Sequence, residues 1–450
     1  MNLVIIGVGK VGETLVANLI NENHDIVVVD ISSERVQEVV NRYDVNGVTG
    51  GGIERSVLLD AGVDKADFVI ACTAQDEKNI LCCVLARKLG AKSTIARVRD
   101  PEYFKEMENM RDDLGLDYSF NPELETAKEI CQVLKFPSAN SVESFADGGA
   151  NMVEFTVLNG NPMIDKQIKD ISAEYGNDFL FAMIARENEV FIPRGDFVIK
   201  AGDIVYLIAS ENSLANFTKK LQIFKRRSKS VFIIGGGKIA YYLAKQLISS
   251  GVSVKIIEKD EARANELSGS LPSATILLCD GTEQEVLEEE KLKDSDACVA
   301  LTGIDEENVI ISLYAKEQGV SKVITKVDRP SVHNMVKQLG LDTVVSPRKV
   351  IANEIVRFVR AHQAFTGNGI NTLYKLSDKA EALEFTVGND FPKIDVAIKD
   401  LGVKNGILLG GIVRDNQFVL PSGETKLQKG DKVIVVTSIR NITELSQILR

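Results

Sequence analysis

Two kinds of hydrophobic pattern alternate along the chain. In the first kind, short runs rich in β-branched residues, such as Leu3 to Ile6, Ile26 to Val29 and Phe68 to Ala71, are separated by helical patterns. This alternation is typical of parallel βαβ units. In the second kind, apolar runs such as Val153 to Leu158 and Ile204 to Ile208 are separated by turns rich in Gly, Asn and Pro. That pattern predicts a compact α+β domain.

The whole pattern occurs twice. The segment from Ile5 to Gly12 returns as Ile233 to Ala240, and Glu154-Phe155-Thr156-Val157 returns as Glu384-Phe385-Thr386-Val387. A repeat that spans both kinds of pattern indicates duplication of a two-domain unit about half the chain long.

The predicted fold is therefore α/β, with two tandem Rossmann-type domains that have parallel sheets, each followed by a small α+β domain. Breaks in periodicity near Phe136-Pro137, Lys225 and Gly367-Asn368-Gly369 suggest the boundaries. The predicted domains are residues 1–136 (Rossmann-type), 137–225 (small), 226–367 (Rossmann-type) and 368–450 (small).

A glycine motif opens the first helix directly after the first strand. Gly7 permits a tight turn, Gly9 permits close approach of a pyrophosphate, and Gly12 lets the helix pack on the strand. The free N–H groups of the loop and the helix dipole attract phosphate. We therefore predict that Gly7, Val8, Gly9, Lys10, Val11 and Gly12 bind a nucleotide. The alternative to a nucleotide site is that the glycines only make the loop flexible. The alternative for Lys10 is a solvated residue of the helix that does not contact phosphate.

Asp30 ends the next strand, where a carboxylate can accept hydrogen bonds from both ribose hydroxyls and repels a 2′-phosphate. Its position favours NAD(H) over NADP. The alternative is that Asp30 is the N-cap of the helix that follows it, before Ser32 and Ser33.

The second half repeats this site with a small residue, Ala240, in the third glycine position. Its predicted nucleotide-binding residues are Gly235, Gly236, Gly237, Lys238, Ile239, Glu258, Asp280, Thr302 and Lys326. Asp280-Gly281 aligns with Gly51-Gly52, so we expect the two sites to differ around the adenosine.

Further candidates follow later strands of the first half. Thr73 and Ala74 come after the fourth strand, and ligands collect beyond the carboxyl ends of parallel strands. Arg97, like Lys326 in the second half, can reach phosphate in the same crevice. The alternative for both cations is a surface ion pair.

Composition narrows the classes of function. A hydrophobic content of 44% and a charged content of 26% fit a globular protein. The formal net charge of −11 argues against nucleic acid as a partner, and the basic run Lys225-Arg226-Arg227 is interpreted as linker charge.

No apolar stretch approaches the length of a membrane span, so we expect a cytoplasmic protein. The cysteine and histidine spacings predict no metal site.

The glycine motif, Asp30, the stretch Thr73 to Asn79 and the segment Arg97 to Pro101 together resemble the RCK (or KTN) family. The duplication resembles the regulatory subunits of Trk potassium-uptake systems. The resemblance covers nearly the whole chain. The turn Gly50-Gly51-Gly52 departs from the family's acidic Gly-Asp-Gly-like turn. The resemblance therefore does not say which residues of the first half contact adenine.

The resemblance implies a cofactor, partners and a location. Members of this family bind NAD(H), ATP or ADP, and assemble as rings, here from a dimer or tetramer, beneath a membrane pore subunit of the TrkH or TrkG kind. It implies phosphate contacts from Gly7 to Val11 and from Gly235 to Ile239. It also implies ribose contacts from Asp30 and Glu258, and further contacts from Thr73, Ala74 and Arg97. The protein would then be peripheral on the inner face of the cell membrane.

Two other classes of function remain. An NAD-dependent oxidoreductase needs an acid–base group and a substrate pocket beside the cofactor, and no Ser-Tyr-Lys set or His–carboxylate pair is evident in the sequence. A structural scaffold leaves the two glycine motifs and their acidic partners unexplained. A nucleotide-sensing regulatory subunit without catalytic residues is the interpretation that we favour.

Overall fold

The computed structural model describes residues 1–22, 24–187, 189–221, 228–341, 343–362, 369–377 and 379–450. The basic run Lys225-Arg226-Arg227 and the predicted boundary at Gly367-Asn368 lie outside these residues. The described chain forms two compact units, one of residues 1–126 and 346–359 and the other of residues 127–345 and 360–450.

The first unit contains a six-stranded parallel sheet. Its strands are β1 (Asn2–Ile6), β2 (Asp25–Asp30), β3 (Asn46–Thr49), β4 (Phe68–Ala71), β5 (Ser93–Arg97) and β6 (Tyr118–Phe120). The strand order is β3-β2-β1-β4-β5-β6, so the order reverses between β1 and β4. In doubly wound sheets a ligand crevice forms at such a reversal, beyond the carboxyl ends of the strands.

Helices cover this sheet. They are α1 (Lys10–Leu19), α2 (Ser33–Tyr43), α3 (Arg55–Asp60), α4 (Asp76–Leu89), α5 (Pro101–Met110) and the start of α6 (Pro122–Lys135). Two 3-10 helices lie at Ile20–Glu22 and Val63–Lys65. β4 is buried along its whole length, as expected for a central strand covered on both faces.

One further helix, α14 (Pro347–Ala361), contributes residues 347–359 to the first unit. The ring of Phe358 stacks on Tyr118 at a centroid distance of 4.5 Å and meets Phe68 edge-on at 6.0 Å. The Tyr118 hydroxyl donates a hydrogen bond to the Glu354 carboxylate. Aromatic burial and this hydrogen bond fix the helix against the β4 and β6 region of the sheet.

The second unit contains another six-stranded parallel sheet. Its strands are β12 (Ser230–Ile234), β13 (Ser253–Glu258), β14 (Thr275–Leu278), β15 (Ala297–Ala300), β16 (Lys322–Lys326) and β17 (Val344–Val345). The helices around it are α9 (Lys238–Ser249), α10 (Glu261–Ser270), α11 (Gln284–Glu289), α12 (Asp305–Glu317) and α13 (Pro330–Gln338), with a 3-10 helix at Leu292–Asp294. The strand order β14-β13-β12-β15-β16-β17 equals that of the first sheet.

Two five-stranded antiparallel sheets complete this unit. The first has β7 (Ser141–Phe145), β8 (Ala150–Thr156), β9 (Phe179–Arg186), β10 (Glu189–Phe191) and β11 (Ile204–Ala209), with α7 (Ile168–Tyr175), α8 (Glu211–Lys220) and a 3-10 helix at Ala146–Gly148. The second has β18 (Ile370–Ser377), β19 (Ala380–Thr386), β20 (Ile407–Arg414), β21 (Gln417–Val419) and β22 (Lys432–Thr437), with 3-10 helices at Ile398–Asp400 and Leu445–Ile448. Their orders, β10-β9-β11-β8-β7 and β21-β20-β22-β19-β18, correspond strand by strand.

The two small sheets share one hydrophobic core. Phe145 and Met152 of the first sheet pack in the same cluster as Ala382, Ile434 and Val436 of the second. The Glu384 carboxylate also accepts a hydrogen bond of 2.7 Å from the backbone N–H of Ala146. Each small sheet therefore buries an apolar face against its own duplicate.

The predicted fold class and the internal duplication are confirmed. Two parallel sheets of identical strand order are each followed along the chain by an antiparallel sheet. The boundaries at residues 136, 225 and 367 stay predictions. Within the described part of the chain, no helix has the length and apolar character needed to cross a membrane.

Candidate nucleotide-binding crevices

The first glycine loop lies at the strand-order reversal of the first sheet. Gly7 has a φ of +93°, and a Cβ atom there would lie 2.8 Å from the backbone nitrogen of Thr73. A Cβ atom on Gly12 would lie 2.0 Å from the carbonyl oxygen of Gly7. Both positions therefore exclude a side chain because the loop after β4 and helix α1 approach β1 closely.

Gly9 differs from these two glycines because a Cβ atom there would meet no described atom within 4 Å. It is the N-cap residue of α1, and no side chain of the described residues accepts a hydrogen bond at this cap. The open space at Gly9 therefore lies at the positive end of a helix, where backbone N–H groups bind anions. Val8 is buried, Val11 is half-buried and Lys10 is exposed.

Asp30 holds the glycine loop in place. One carboxylate oxygen accepts a hydrogen bond of 2.9 Å from the backbone N–H of Val8, and the other accepts one of 3.0 Å from that of Ser32. The alternative role of Asp30 as a helix N-cap is wrong, because the N-cap of α2 is Ser32, whose hydroxyl accepts from the Arg35 N–H. Each carboxylate oxygen has a further lone pair that can accept a ribose hydroxyl.

The second half has the same construction. Gly235 has a φ of +102°, and a Cβ atom on Gly237 would again meet nothing within 4 Å among the described atoms. The Glu258 carboxylate accepts hydrogen bonds from the backbone N–H groups of Gly236, at 2.8 Å, and Asp260, at 2.9 Å. An additional contact comes from Arg263, whose Nε donates to the Gly236 carbonyl at 2.7 Å. Lys238 and Ile239 begin the helix that follows, α9.

A buried asparagine positions the loop after β4. Asn79 is fully buried, and its Oδ1 accepts hydrogen bonds of 2.7 Å from both the backbone N–H and the hydroxyl of Thr73. Its Nδ2 donates to the Arg97 carbonyl at 2.9 Å. Asn308 makes the corresponding backbone contacts to Thr302 and Lys326. Sequence analysis missed both asparagines as site residues, although each follows its threonine by the same spacing, a signal that could have revealed them.

Replacing Asn79 with alanine is expected to lower the free energy of unfolding of the first unit by about 2 kcal/mol. The substitution leaves the Thr73 N–H and the Arg97 carbonyl without this partner in a partly buried place, and an unsatisfied buried group costs about 1 to 3 kcal/mol. Chemical denaturation of the variant measures the loss. Lys78→Ala, at an exposed position of the same helix, is the control and should change stability little. An equal stability for both variants would contradict the positioning role of Asn79.

Arg97 ends β5, and its side chain interacts electrostatically with Cys72 and Asp76. That side chain is 14% exposed, and its Nε donates to no acceptor among the described residues. Burial lowers the pKa of the guanidinium, while the Glu123 carboxylate, 3.8 Å from Nη2, acts in the opposite direction. The ion pair that was the alternative for Arg97 is therefore buried and long, and the Nε atom is enclosed by protein in this arrangement of the side chain.

Lys326 occupies the corresponding place in the second half, but its Nζ donates to the Thr302 carbonyl at 2.8 Å. The carbonyl of Ala74, in the exposed loop of the first half, instead accepts from the Arg99 guanidinium. The loops after β4 and β15 are thus each held by a cation, supplied from different positions.

The two crevices differ at the turn Gly51-Gly52 and its counterpart Asp280-Gly281, where the alignment of the two halves predicts a difference. A Cβ atom on Gly52 would lie 2.3 Å from Ile6, and one on Gly281 would lie 2.4 Å from Ile234, so these glycines are structural equivalents. The residue before each differs. The Asp280 carboxylate accepts hydrogen bonds from the backbone N–H and hydroxyl of Thr282, which lower its pKa. Gly51 has no side chain, and the Glu54 carboxylate lies over it instead.

The donor set of each crevice fits a nucleotide. Open space at a helix N-terminus suits a diphosphate, and a carboxylate beside the loop suits ribose hydroxyls. In the first crevice the largely buried guanidinium of Arg97, at the end of β5, adds a cation. The neighbouring thiol of Cys72 is inert, because burial raises its pKa to about 12. No group of three His, Cys, Asp or Glu side chains able to hold a metal occurs among the described residues.

Comparison with known proteins gives the family. The TrkA-N domain model matches residues 3–122 and 231–347, and the TrkA-C domain model matches residues 152–222 and 382–450. The Trk system potassium uptake protein TrkA homolog of Archaeoglobus fulgidus is 33% identical over 455 residues, with 100% of both chains covered. The chain belongs to the TrkA family.

Solved structures agree with the fold of this TrkA-family chain. The GsuK channel bound to NAD has a TM-score of 0.63 at 18% identity, with 98% of this chain and 77% of that chain covered. GsuK bound to ADP has a TM-score of 0.52 at 15% identity, with 81% and 70% covered. At these identities the similarity supports the fold. The resemblance to the RCK family and to Trk regulatory subunits is confirmed by the TrkA-family match.

Proposed function

We propose that the chain is the nucleotide-sensing regulatory subunit of a Trk-type potassium transporter. One observation carries the proposal: each Rossmann-type sheet presents an open glycine loop at a helix N-terminus, and a carboxylate, Asp30 or Glu258, holds that loop by a backbone N–H. Membership of the TrkA family supplies the transport system. The two crevices are the places where the sensed nucleotide would bind.

NAD(H) is the ligand that the first crevice favours. Asp30 can accept the ribose hydroxyls and would repel the 2′-phosphate of NADP. Of the two GsuK structures, one is bound to NAD and the other to ADP. These ligands support adenine nucleotides as the ligand class for this fold. ATP or ADP is the further candidate, and the difference between Gly51 and Asp280 suggests that the two crevices prefer different ligands.

A binding role without catalysis agrees with the residues around the glycine loops. Hydride transfer to or from a substrate needs an acid–base group beside the nicotinamide. The groups near the first loop include the Asp30 carboxylate, which holds backbone N–H groups, and the Cys72 thiol, which burial keeps protonated. Lys10 and Arg97 are cations of the kind that binds phosphate. We therefore propose a regulatory protein and keep an NAD-dependent oxidoreductase as the alternative for the experiment to decide.

Regulation follows from differential affinity. A nucleotide that binds one arrangement of the domains more tightly shifts the population toward that arrangement, by no more than the difference in binding free energy. A preference of about 100-fold corresponds to roughly 2.7 kcal/mol, which is enough to bias a gate that is near balance. We propose that a dimer or tetramer of the chain transmits this shift, as a cytoplasmic ring, to a TrkH- or TrkG-like pore subunit in the membrane.

Calorimetric titration of the purified chain with NAD, NADH, ATP and ADP tests the proposal, with NADH absorbance followed in parallel. We expect saturable binding of at least one nucleotide and no oxidation of NADH. Absence of binding for all four would refute the sensing role, and turnover of NADH in the presence of a small carbonyl substrate would favour the oxidoreductase.

Replacing Asp30 with alanine is expected to weaken NADH binding to the first crevice by roughly 1.5 to 3 kcal/mol. The carboxylate provides charged hydrogen bonds to ribose and also orients the loop through Val8. The same change should narrow the preference for NADH over NADPH, because the negative charge that repels the 2′-phosphate is gone. Glu34→Ala removes an exposed carboxylate from the first turn of α2 and is the control. Unchanged titrations for Asp30→Ala would remove the ribose assignment.

A further inference from the structure

A second kind of cavity lies in the second unit, away from both glycine loops. Its volume is about 730 Å³. One wall belongs to the first small domain, with the end of β8, the turn after it and the end of α8, and the other belongs to the region from α12 to Thr343 that surrounds β16. Small-molecule sites occur preferentially in cavities of this size between domains.

The charged side chains among the described residues of the cavity wall are all basic. The described residues that line the cavity include three lysines, Lys220, Lys316 and Lys322, and no aspartate or glutamate. This is unusual for a chain with 64 acidic and 53 basic residues. The ammonium groups therefore produce a positive potential in a partly enclosed space, which attracts anions.

Two of the lysines, Lys220 and Lys316, are held in position by carbonyl oxygen atoms of the wall. Lys220 Nζ donates to the Tyr175 carbonyl at 2.8 Å, and Lys316 Nζ donates to the Gly340 carbonyl at 2.7 Å. Lys322, which is 5% exposed, donates to the Thr343 hydroxyl at 2.7 Å. Tyr175, Gly340 and Thr343 themselves line the cavity. An ammonium has three donors, so Lys220 and Lys316 keep donors for a ligand in a fixed geometry.

We propose that this cavity is an effector site for a small organic phosphate that carries more than one negative charge. Lysine acts on phosphate as a point charge, and the ammonium groups of Lys220 and Lys316 around one space favour a ligand with several charges over a singly charged one. The neutral donors Ser138, Asn140 and Asn161 and the apolar side chains of Phe155 and Leu341 line the remaining wall. They suit the rest of an organic ligand.

Occupancy of this site would stabilise the packing of the first small domain on the second Rossmann-type domain. The ligand would contact Lys220 on one wall and Lys316 on the other, and would thus link the two domains by charge. Such a ligand acts at a place distinct from the nucleotide crevices, so it gives the chain an additional regulatory input.

Titration calorimetry at fixed ionic strength, with inorganic pyrophosphate as the probe, tests the site. The titrations use Gly9→Val/Gly237→Val as the background variant, because the glycine loops themselves suit a diphosphate. We expect this background variant to bind pyrophosphate, and the same variant with Lys220→Gln/Lys316→Gln added to bind it at least about tenfold more weakly. Both lysines are exposed, so their replacement should keep the thermal transition. Lys219→Gln, one residue earlier on α8 and outside the cavity lining, is the matched control and should bind like the background variant.

The unmodified chain separates this site from the crevices. It should also bind pyrophosphate at the glycine loops, so Lys220→Gln/Lys316→Gln alone should remove only part of its binding. The proposal is overturned if the background variant shows no pyrophosphate binding or if the added lysine substitutions leave that binding unchanged. Citrate, a carboxylate anion of several charges, should bind at least about tenfold more weakly than pyrophosphate, and equal affinity would overturn the assignment to phosphate.

Discussion

Valine at position 9 is expected to lower the affinity of the first crevice for NADH by at least about 100-fold, which is roughly 2.7 kcal/mol. The Cβ position of Gly9 faces open space, so the valine side chain would project into the place where the diphosphate must approach the helix. The φ of Gly9 is −67°, which valine adopts without strain. Calorimetry should therefore show a loss of binding while the thermal unfolding transition stays in place.

Two further variants make this result specific. Gly237→Val should affect the second crevice alone, because its Cβ position is also open. Gly12→Val should instead destabilise the first unit, since its side chain would collide with the Gly7 carbonyl. Normal NADH binding to a folded Gly9→Val protein would show that the loop is not the phosphate site.

The fold could be predicted from the sequence because its signals are local or repeated. Runs such as Phe68 to Ala71 are buried strands with turn residues beyond them, and the glycine motif marks the junction of a strand with a helix. The repeat then doubles each signal, so that a weak pattern in one half is supported by its counterpart in the other. The equivalence of Gly52 and Gly281, inferred from alignment alone, is visible in their matching contacts with Ile6 and Ile234.

Long-range partners could not be predicted in the same way. Nothing in the pattern around Phe358 shows that its ring packs on Tyr118, far away in the chain. The pairing of the two small sheets in one core is equally invisible, because an alternating strand shows that one face is buried but not what covers it. The role of Asn79 was missed for a related reason: a polar residue inside a helix pattern is usually solvent-exposed, and only the fold shows that it is buried.

The duplicated crevices have a common frame and different ligand-facing groups. Asp30 and Glu258 hold their loops in the same way, and Asn79 and Asn308 hold the following ones. By contrast, the buried Nε of Arg97 donates to no acceptor among the described residues, whereas Lys326 donates to a carbonyl of its own site. The cations of the two crevices thus differ in their hydrogen bonds, which is consistent with two sites that have the same architecture and different ligand preferences.

Removal of the Glu381 carboxylate is expected to lower the free energy of unfolding of the second unit by about 3 to 5 kcal/mol. Glu381 forms a bidentate ion pair with Arg360, at 2.7 and 3.0 Å, and the two residues are 6% and 1% exposed. In Glu381→Ala the guanidinium would stay buried without this carboxylate, which costs far more than the intact pair contributes. Denaturant titration of the variant measures the loss.

The double variant Arg360→Met/Glu381→Leu decides whether the charge itself is responsible. Two apolar side chains of similar length remove both charges together, so most of the lost stability should return, because a buried ion pair is often replaceable by apolar packing. Glu424→Ala, which breaks an ion pair with Lys399 whose partners are 78% and 52% exposed, should change stability by less than about 1 kcal/mol. A double variant as unstable as Glu381→Ala would mean that shape, not buried charge, determines the stability at this position.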